Sequence, residues 1–206
     1  MNIVFDFGAV LVNWQPQTLL QAHFPQSASG PSEAAALAQA FFHHDDWQAF
    51  DRGVMLQAEV CRRTAERLAL PHDDVHALVS NIADLLTPMN GTVQLLERLR
   101  ARRQTDTQLR LYFLSNMPEP YARTLERTHS FLTWFDGGIF SGDVRHIKPE
   151  PAIYELLETR YGLVPGRTLF IDDLHANVQA ARDRGWHAVH FESPEQLEAQ
   201  LLVHGF

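Results

Sequence analysis

Short apolar runs alternate with stretches of helical periodicity along most of this chain. Residues 3–5, 109–114, 168–171 and 187–191 are compact runs, each closed by a polar side chain. Runs of this length without three-and-four spacing read as buried strands. A weaker run, Gly138-Ile139-Phe140, precedes Ser141-Gly142. Helical patterns lie between them. Residues 92–103 carry Val93, Leu96 and Leu99 on one face, and residues 151–161 carry Ile153, Leu156 and Leu157. Residues 175–184 carry Val178 and Ala181 and end at Gly185, which suits the left-handed position after a helix. This alternation predicts an α/β fold with a mainly parallel sheet covered on both faces.

Residues 15–86 break the alternation. They contain no convincing strand but three helical stripes: Ala34, Leu37, Ala38, Phe41 and Phe42; then Val60, Thr64, Arg67 and Leu68; then Val75, Leu78, Val79 and Ile82. Pro31, Asp51-Arg52-Gly53 and Leu70-Pro71 punctuate them, and Ser27-Ala28-Ser29-Gly30 reads as a flexible linker. The pattern predicts a core of residues 1–14 and 87–206, with an all-helical subdomain over 15–86.

Composition narrows the class of function. A formal net charge of -8 and no basic run exclude the footprint of a nucleic-acid or membrane-surface binder. No apolar run approaches a membrane span, and no charged region precedes an apolar one at the start, so a cytoplasmic protein is expected. Cys61 is the single cysteine, which excludes an internal disulfide, and its place in a helical stripe predicts an inert side chain. The histidines lack the close clustering with cysteine of a zinc site. Small-molecule chemistry is the class left, in a monomer or homodimer.

In a parallel α/β sheet, ligands collect outside the carboxyl ends of the strands. The polar residues at those ends are Asp6, Ser115-Asn116 and Asp172-Asp173, with Lys148 just before the helix that follows Pro149. Singly, each has a structural reading. Asp6 suits a loop or cap, Ser115-Asn116 and Asp172-Asp173 suit helix caps, and Lys148 suits solvent. Together they set three carboxylates, a hydroxyl, an amide and a lysine at one edge. Three nearby carboxylates require a cation to offset their repulsion, and hard oxygen ligands suit Mg²⁺. Lys148 and Ser115 would then hold the oxygens of a phosphoryl group attacked by Asp6.

The segments Phe5-Asp6-Phe7-Gly8-Ala9-Val10-Leu11, Phe113-Leu114-Ser115-Asn116, Ile147-Lys148-Pro149-Glu150-Pro151 and Phe170-Ile171-Asp172-Asp173 resemble, in order and spacing, the haloacid dehalogenase-like hydrolase superfamily. The resemblance implies a three-layer Rossmann-like core, with the helical insertion as a cap. It implies that Asp6 is nucleophile and metal ligand, joined by the Gly8 carbonyl and Asp173, with Asp172 beside them and Asn177 near the metal shell. Catalytic roles fall to Asp6, Ser115 and Lys148, and substrate binding to Ser115, Asn116 and Lys148. The expected cofactor is Mg²⁺, and the expected substrate a small phosphorylated metabolite.

One position departs from that pattern. Most phosphatases of this superfamily carry an acid/base aspartate two residues after the nucleophile, where this chain has Gly8. General acid–base help is worth about 10²- to 10⁴-fold. Three readings are open: an activated leaving group, a substitute in the cap (His43, His44 or Asp45), or poor turnover. The Asp-x-Gly-x-Val start resembles sugar-1-phosphate phosphatases, including those acting on glucose 1-phosphate, which favours the first. The stretch from Phe41 to Gly53 is the expected specificity element. Its aromatics Phe41, Phe42, Trp47 and Phe50 have an ordinary packing reading, and Trp14 reads as either a hinge anchor or a pocket wall. Two other functions compete with the phosphatase. They are a metal-independent 2-haloacid dehalogenase, which would not need Asp172-Asp173, and a regulatory binder of phosphometabolites.

Overall fold

The computed structural model describes residues 1–205. All five expected strands form, with small boundary shifts: β1 Asn2–Phe5, β2 Arg110–Ser115, β3 Gly137–Phe140, β4 Thr168–Asp172 and β5 His187–His190. They pair in parallel in the order β3-β2-β1-β4-β5. The strand weakest in sequence, β3, lies at an edge. Its glycines are packing devices: a Cβ at Gly137 would overlap the Tyr161 ring, and one at Gly138 the Phe113 ring.

Five helices follow β1: α1 Pro16–His23, α2 Pro31–Phe42, α3 Asp45–Asp51, α4 Gln57–Leu68 and α5 His72–Leu85. Next come α6 Asn90–Arg102 before β2, α7 Glu119–Thr128 after it, and the single turn α8 Ser141–Val144 after β3. The last three are α9 Pro151–Tyr161, α10 His175–Asp183 and α11 Pro194–Val203.

Alternation along the strands builds two cores. Ile3 and Phe5 point to one side with Leu111, Leu169 and Ile171, where Leu96 of α6, Leu125 of α7 and Leu197 of α11 cover them. Val4 points to the other side with Tyr112, Leu114 and Phe170, under Ile153, Tyr154 and Leu157 of α9. The result is three layers. Phe41, Val60 and Leu78 of the inserted helices join the same cluster as Phe5, Phe7 and Leu11, so their apolar stripes are buried continuously with the sheet side.

The expected linker at 27–30 is instead a packed turn. Ala28 is buried, and the Ser27 and Ala28 amides both donate to the Phe24 carbonyl. Small polar residues there serve tight turning rather than flexibility. The second stripe is also rotated slightly. Its buried members are Val60, Cys61, Thr64 and Ala65, while Arg67 lies at the margin and donates to the Ala40 carbonyl (2.7 Å).

Candidate active site

The central position of β1 between β2 and β4 gathers the three strand ends. The Asp6 amide donates to the Ile171 carbonyl (2.9 Å), which continues the ladder and sets Asp6 beside Asp172. The chain then turns tightly. The Val10, Leu11 and Val12 amides all converge on the Phe7 carbonyl, and Ala9 adopts a left-handed φ of 54°. The Phe7 ring anchors this turn edge-on to Phe113 and Phe140, with centroids at 5.2 and 5.3 Å. The Phe7 amide donates to Asp6 Oδ1 (2.7 Å), fixing the carboxylate.

Lys148 is buried and bridges two of the acids, with Nζ 2.9 Å from Asp6 Oδ1 and 2.6 Å from Asp172 Oδ2. Asn116 clamps the Lys148 backbone from both sides: its Nδ2 donates to the Lys148 carbonyl (2.9 Å) and its Oδ1 accepts the Lys148 amide (2.7 Å). Asp172 is wholly enclosed. Beyond Lys148, it accepts the Leu174 amide (2.9 Å) and Asn177 Nδ2 at 2.9 and 3.1 Å.

Burial works against the Lys148 charge, but Asp172 and Asp6 outweigh it and hold the ammonium above its ordinary pKa. Burial pushes Asp6 up to about 7; Lys148 opposes that shift, and the charges of Asp172 and Asp173 add to it. Burial, then the neighbouring Asp172 charge, raises Asp173 to about 6. Three carboxylates therefore share one ammonium. Oxygens of Asp6, Asp172 and Asp173 lie within 4.8 Å of one another. Hard donors so spaced, with surplus negative charge, fit a divalent cation such as Mg²⁺.

Asp6, Gly8, Ser115, Asn116, Lys148 and Asp173 all line one cavity of about 690 Å³, while Asp172 supports them from behind. Its outer walls come from the inserted helices and their flanks. Trp14, Phe42 and Trp47 face it, with Trp14 edge-on to Phe42 (5.0 Å) and Phe42 to Trp47 (4.7 Å). Trp14 is thus a wall and a packing anchor at once. Among the suggested substitute acids, His43 lines the cavity and Asp45 does not. His44 caps α3 by accepting the Asp46 amide (3.1 Å). Asp51, at the end of α3, lines the cavity too. In the sequence it stood only as part of the Asp51-Arg52-Gly53 break between helical stripes, although an acid beside Arg-Gly inside the expected specificity segment was a usable signal. Cys61 is buried, and burial lifts its thiol to about 11, which suppresses the thiolate.

Residues 2–185 match the family model of the haloacid dehalogenase-like hydrolases. The chain belongs to this family. Among relatives of known role, a sesquiterpene phosphatase of Aspergillus oryzae is 24% identical over 188 residues, covering 91% of this chain and 87% of its own. A phosphorylated carbohydrates phosphatase of Thermotoga maritima is 27% identical over 103 residues, covering 50% of this chain and 45% of its own. A haloacid dehalogenase-like enzyme of Bacteroides thetaiotaomicron, solved with magnesium and inorganic phosphate, superposes with a TM-score of 0.69 at 19% identity, covering 93% of each chain. The L-2-haloacid dehalogenase of Xanthobacter autotrophicus gives 0.65 at 22% identity, covering 98% of this chain and 82% of its own. These structures share the α/β fold of the haloacid dehalogenase-like hydrolases. This chain is a hydrolase of that family, and no helix among its described residues is long and apolar enough to cross a membrane.

Proposed function

We propose that this hydrolase is a Mg²⁺-dependent phosphatase of small organic phosphomonoesters, working through an aspartyl-phosphate on Asp6. The observation that carries this reading is the convergence of Asp6, Ser115, Lys148 and Asp173 on one cavity, with Lys148 Nζ 2.9 Å from Asp6 Oδ1. Residues 15–86 act as a cap over a core of residues 1–14 and 87–206.

Asp6 Oδ attacks phosphorus while Lys148 and the Ser115 hydroxyl hold non-reacting oxygens and take up charge in transit. Asn116 and Asp172 act through Lys148, one fixing its backbone and the other its ammonium. Asp6, the Gly8 carbonyl and Asp173 would hold Mg²⁺, with Asp172 beside them and Asn177 orienting Asp172. When bound, the ion supplies charge that offsets the repulsion between an anionic nucleophile and an anionic substrate. Water then hydrolyses the aspartyl-phosphate.

A sugar phosphate is the first substrate reading, in keeping with the carbohydrate phosphatase among the relatives. The apolar walls favour a second, a phosphate ester of an apolar alcohol such as a terpenoid, and the sesquiterpene phosphatase supports it. A screen of sugar, alkyl and isoprenoid phosphates with Mg²⁺ separates the two by kcat/KM. Phosphate release abolished by EDTA and by Asp6→Asn is expected. EDTA-resistant hydrolysis of a 2-haloacid would establish the dehalogenase instead, and tight binding without phosphate release would establish the regulatory binder.

A further inference from the structure

Two acids that line the cavity take no part in the nucleophilic step, Glu150, which is paired with Arg52, and Asp51. Asp51 lines the same cavity as Asp6, and no donor among the described residues reaches its carboxyl group. Asp51 is half-buried with its carboxyl group open to the cavity, and with no donor to hold it that group has no structural partner that would account for its place there. Its position is nonetheless tightly determined. Ser141 Oγ donates to the Asp51 carbonyl (2.5 Å), and Arg52 makes two hydrogen bonds to Glu150 (2.7 and 2.6 Å). Gly53, at φ +71°, lies so close to Gly142 that a Cβ would overlap its backbone. These contacts fasten the tip of α3 to residues 141–150, the segment that also carries Lys148.

The surroundings leave Asp51 free to hold and release a proton. Lys148 is the cation whose field it feels, and Tyr121 of α7 is the phenol beside it. The other charges on adjoining elements are engaged elsewhere. Arg63 and Arg67 of α4 meet Asp46 near the other end of α3, Asp143 of α8 pairs with Arg123, and Arg52 pairs with Glu150. Burial pushes the Asp51 carboxyl up to about 8, with Lys148 opposing, so it is protonated at neutral pH. His43, the other titratable group of the cap that lines the cavity, is exposed and its ring makes no hydrogen bond among the described residues.

We propose that Asp51 is the general acid of this enzyme, donating its proton to the departing alkoxide, a task that Gly8 cannot perform. This rests on the phosphatase reading of the site. As the bond from Asp6 Oδ to phosphorus forms, the bond from phosphorus to the leaving oxygen breaks, and that oxygen takes the Asp51 proton. The water that then attacks the aspartyl-phosphate returns a proton to Asp51, while Asp6 recovers its carboxylate and phosphate departs. The reacting acid thus comes from the cap rather than the core, and protonation is available only when α3 is docked.

The test is a series of aryl and alkyl phosphates whose leaving alcohols become steadily more basic. kcat/KM reports the steps up to departure of the leaving group. It is expected to fall gently along the series in the wild type and steeply in Asp51→Asn. The variant's loss on the most basic alkyl ester is about 10²-fold or more, against a much smaller loss on the most acidic phenol. The wild type should also lose kcat/KM for alkyl esters as pH rises through about 8, and Asp51→Asn should lack that limb. Equal slopes for the two proteins, or an unchanged alkaline limb, would overturn the assignment while leaving the phosphatase reading intact. No hydrolysis of any ester by wild type with Mg²⁺ would overturn both.

Discussion

Arg52 clasps Glu150 through paired hydrogen bonds of 2.7 and 2.6 Å, joining the end of α3 to the loop that presents Lys148. Both side chains are partly exposed, at 27% and 37%, so the pair contributes little to global stability, about 1 kcal/mol at most. Its effect is local. Arg52→Ala is expected to speed amide hydrogen exchange over residues 45–55 and lower kcat/KM, with little change in unfolding midpoint. Exchange unchanged from wild type would show that the Ser141 and Gly142 contacts suffice to dock α3.

Lys148 is the one ammonium among three carboxylates, so Lys148→Met leaves buried negative charge uncompensated. Removing one partner of a buried pair costs about 3–5 kcal/mol. Denaturant unfolding of the metal-free variant should show a loss of that order near neutral pH. The loss should shrink in acid, where Asp6 and Asp173, with pKa values near 7 and 6, take up protons.

Metal should stabilise the folded protein measurably. At a hundredfold excess over Kd, Mg²⁺ binding contributes about 2.7 kcal/mol. EDTA-treated protein should therefore gain several degrees in Tm on adding Mg²⁺. Asp173→Asn should fold as well without metal but show a much smaller gain. An equal gain in wild type and variant would remove Asp173 from the ligand set.

Asp51 should cost stability wherever it is held protonated against its tendency to ionise. Its folded pKa is raised to about 8 by burial, above that of the unfolded chain. The penalty is absent below the unfolded pKa, near 4, and grows as pH rises until it is complete above about 8. Asp51→Asn should accordingly raise Tm by a few degrees at pH 8 and change it little at pH 4. Thermal scans at the two pH values check this, and a drop at pH 8 would mean that the carboxyl makes a contact worth more than its burial costs.

Gly8 has room for a side chain. A Cβ there would meet only Trp14, at 3.9 Å, and the backbone is not in the left-handed region. Gly8→Asp is expected to fold normally and, combined with Asp51→Asn, to restore part of the rate on alkyl esters. No recovery in the double variant would mean that position 8 does not approach the leaving oxygen.

The apolar runs foretold every strand because a sheet buried on both faces needs near-continuous apolar sequence, and each polar terminus stood out against it. Asp6, Ser115 and Asp172-Asp173 stood out as polar strand ends for the same reason, whereas Lys148, between α8 and α9, stood out only through the joint pattern and the family motif. The edge strand at 137–140 was faint because its glycines make room for rings from other segments. Helices α1, α3, α7 and α11 were not foreseen. Packing against distant elements stabilises α1, α3 and α11 more than their own periodicity signals, whereas α7 carries a clear apolar stripe of Tyr121, Ala122 and Leu125.

The sequence by itself determined the strands with their polar ends, the helices with clear apolar spacing and the family motifs, because these follow from local spacing and burial. Only the tertiary structure decided three further matters. Asp172 lies behind the site and Asn116 grips Lys148, because hydrogen bonds across 24 and 32 residues depend on how loops meet. Asp51 enters the cavity with no donor for its carboxyl, because contacts from Ser141, Gly142 and Glu150 fix the end of α3. Docking of this kind sums weak contacts between segments far apart in the chain, and no local pattern encodes that sum.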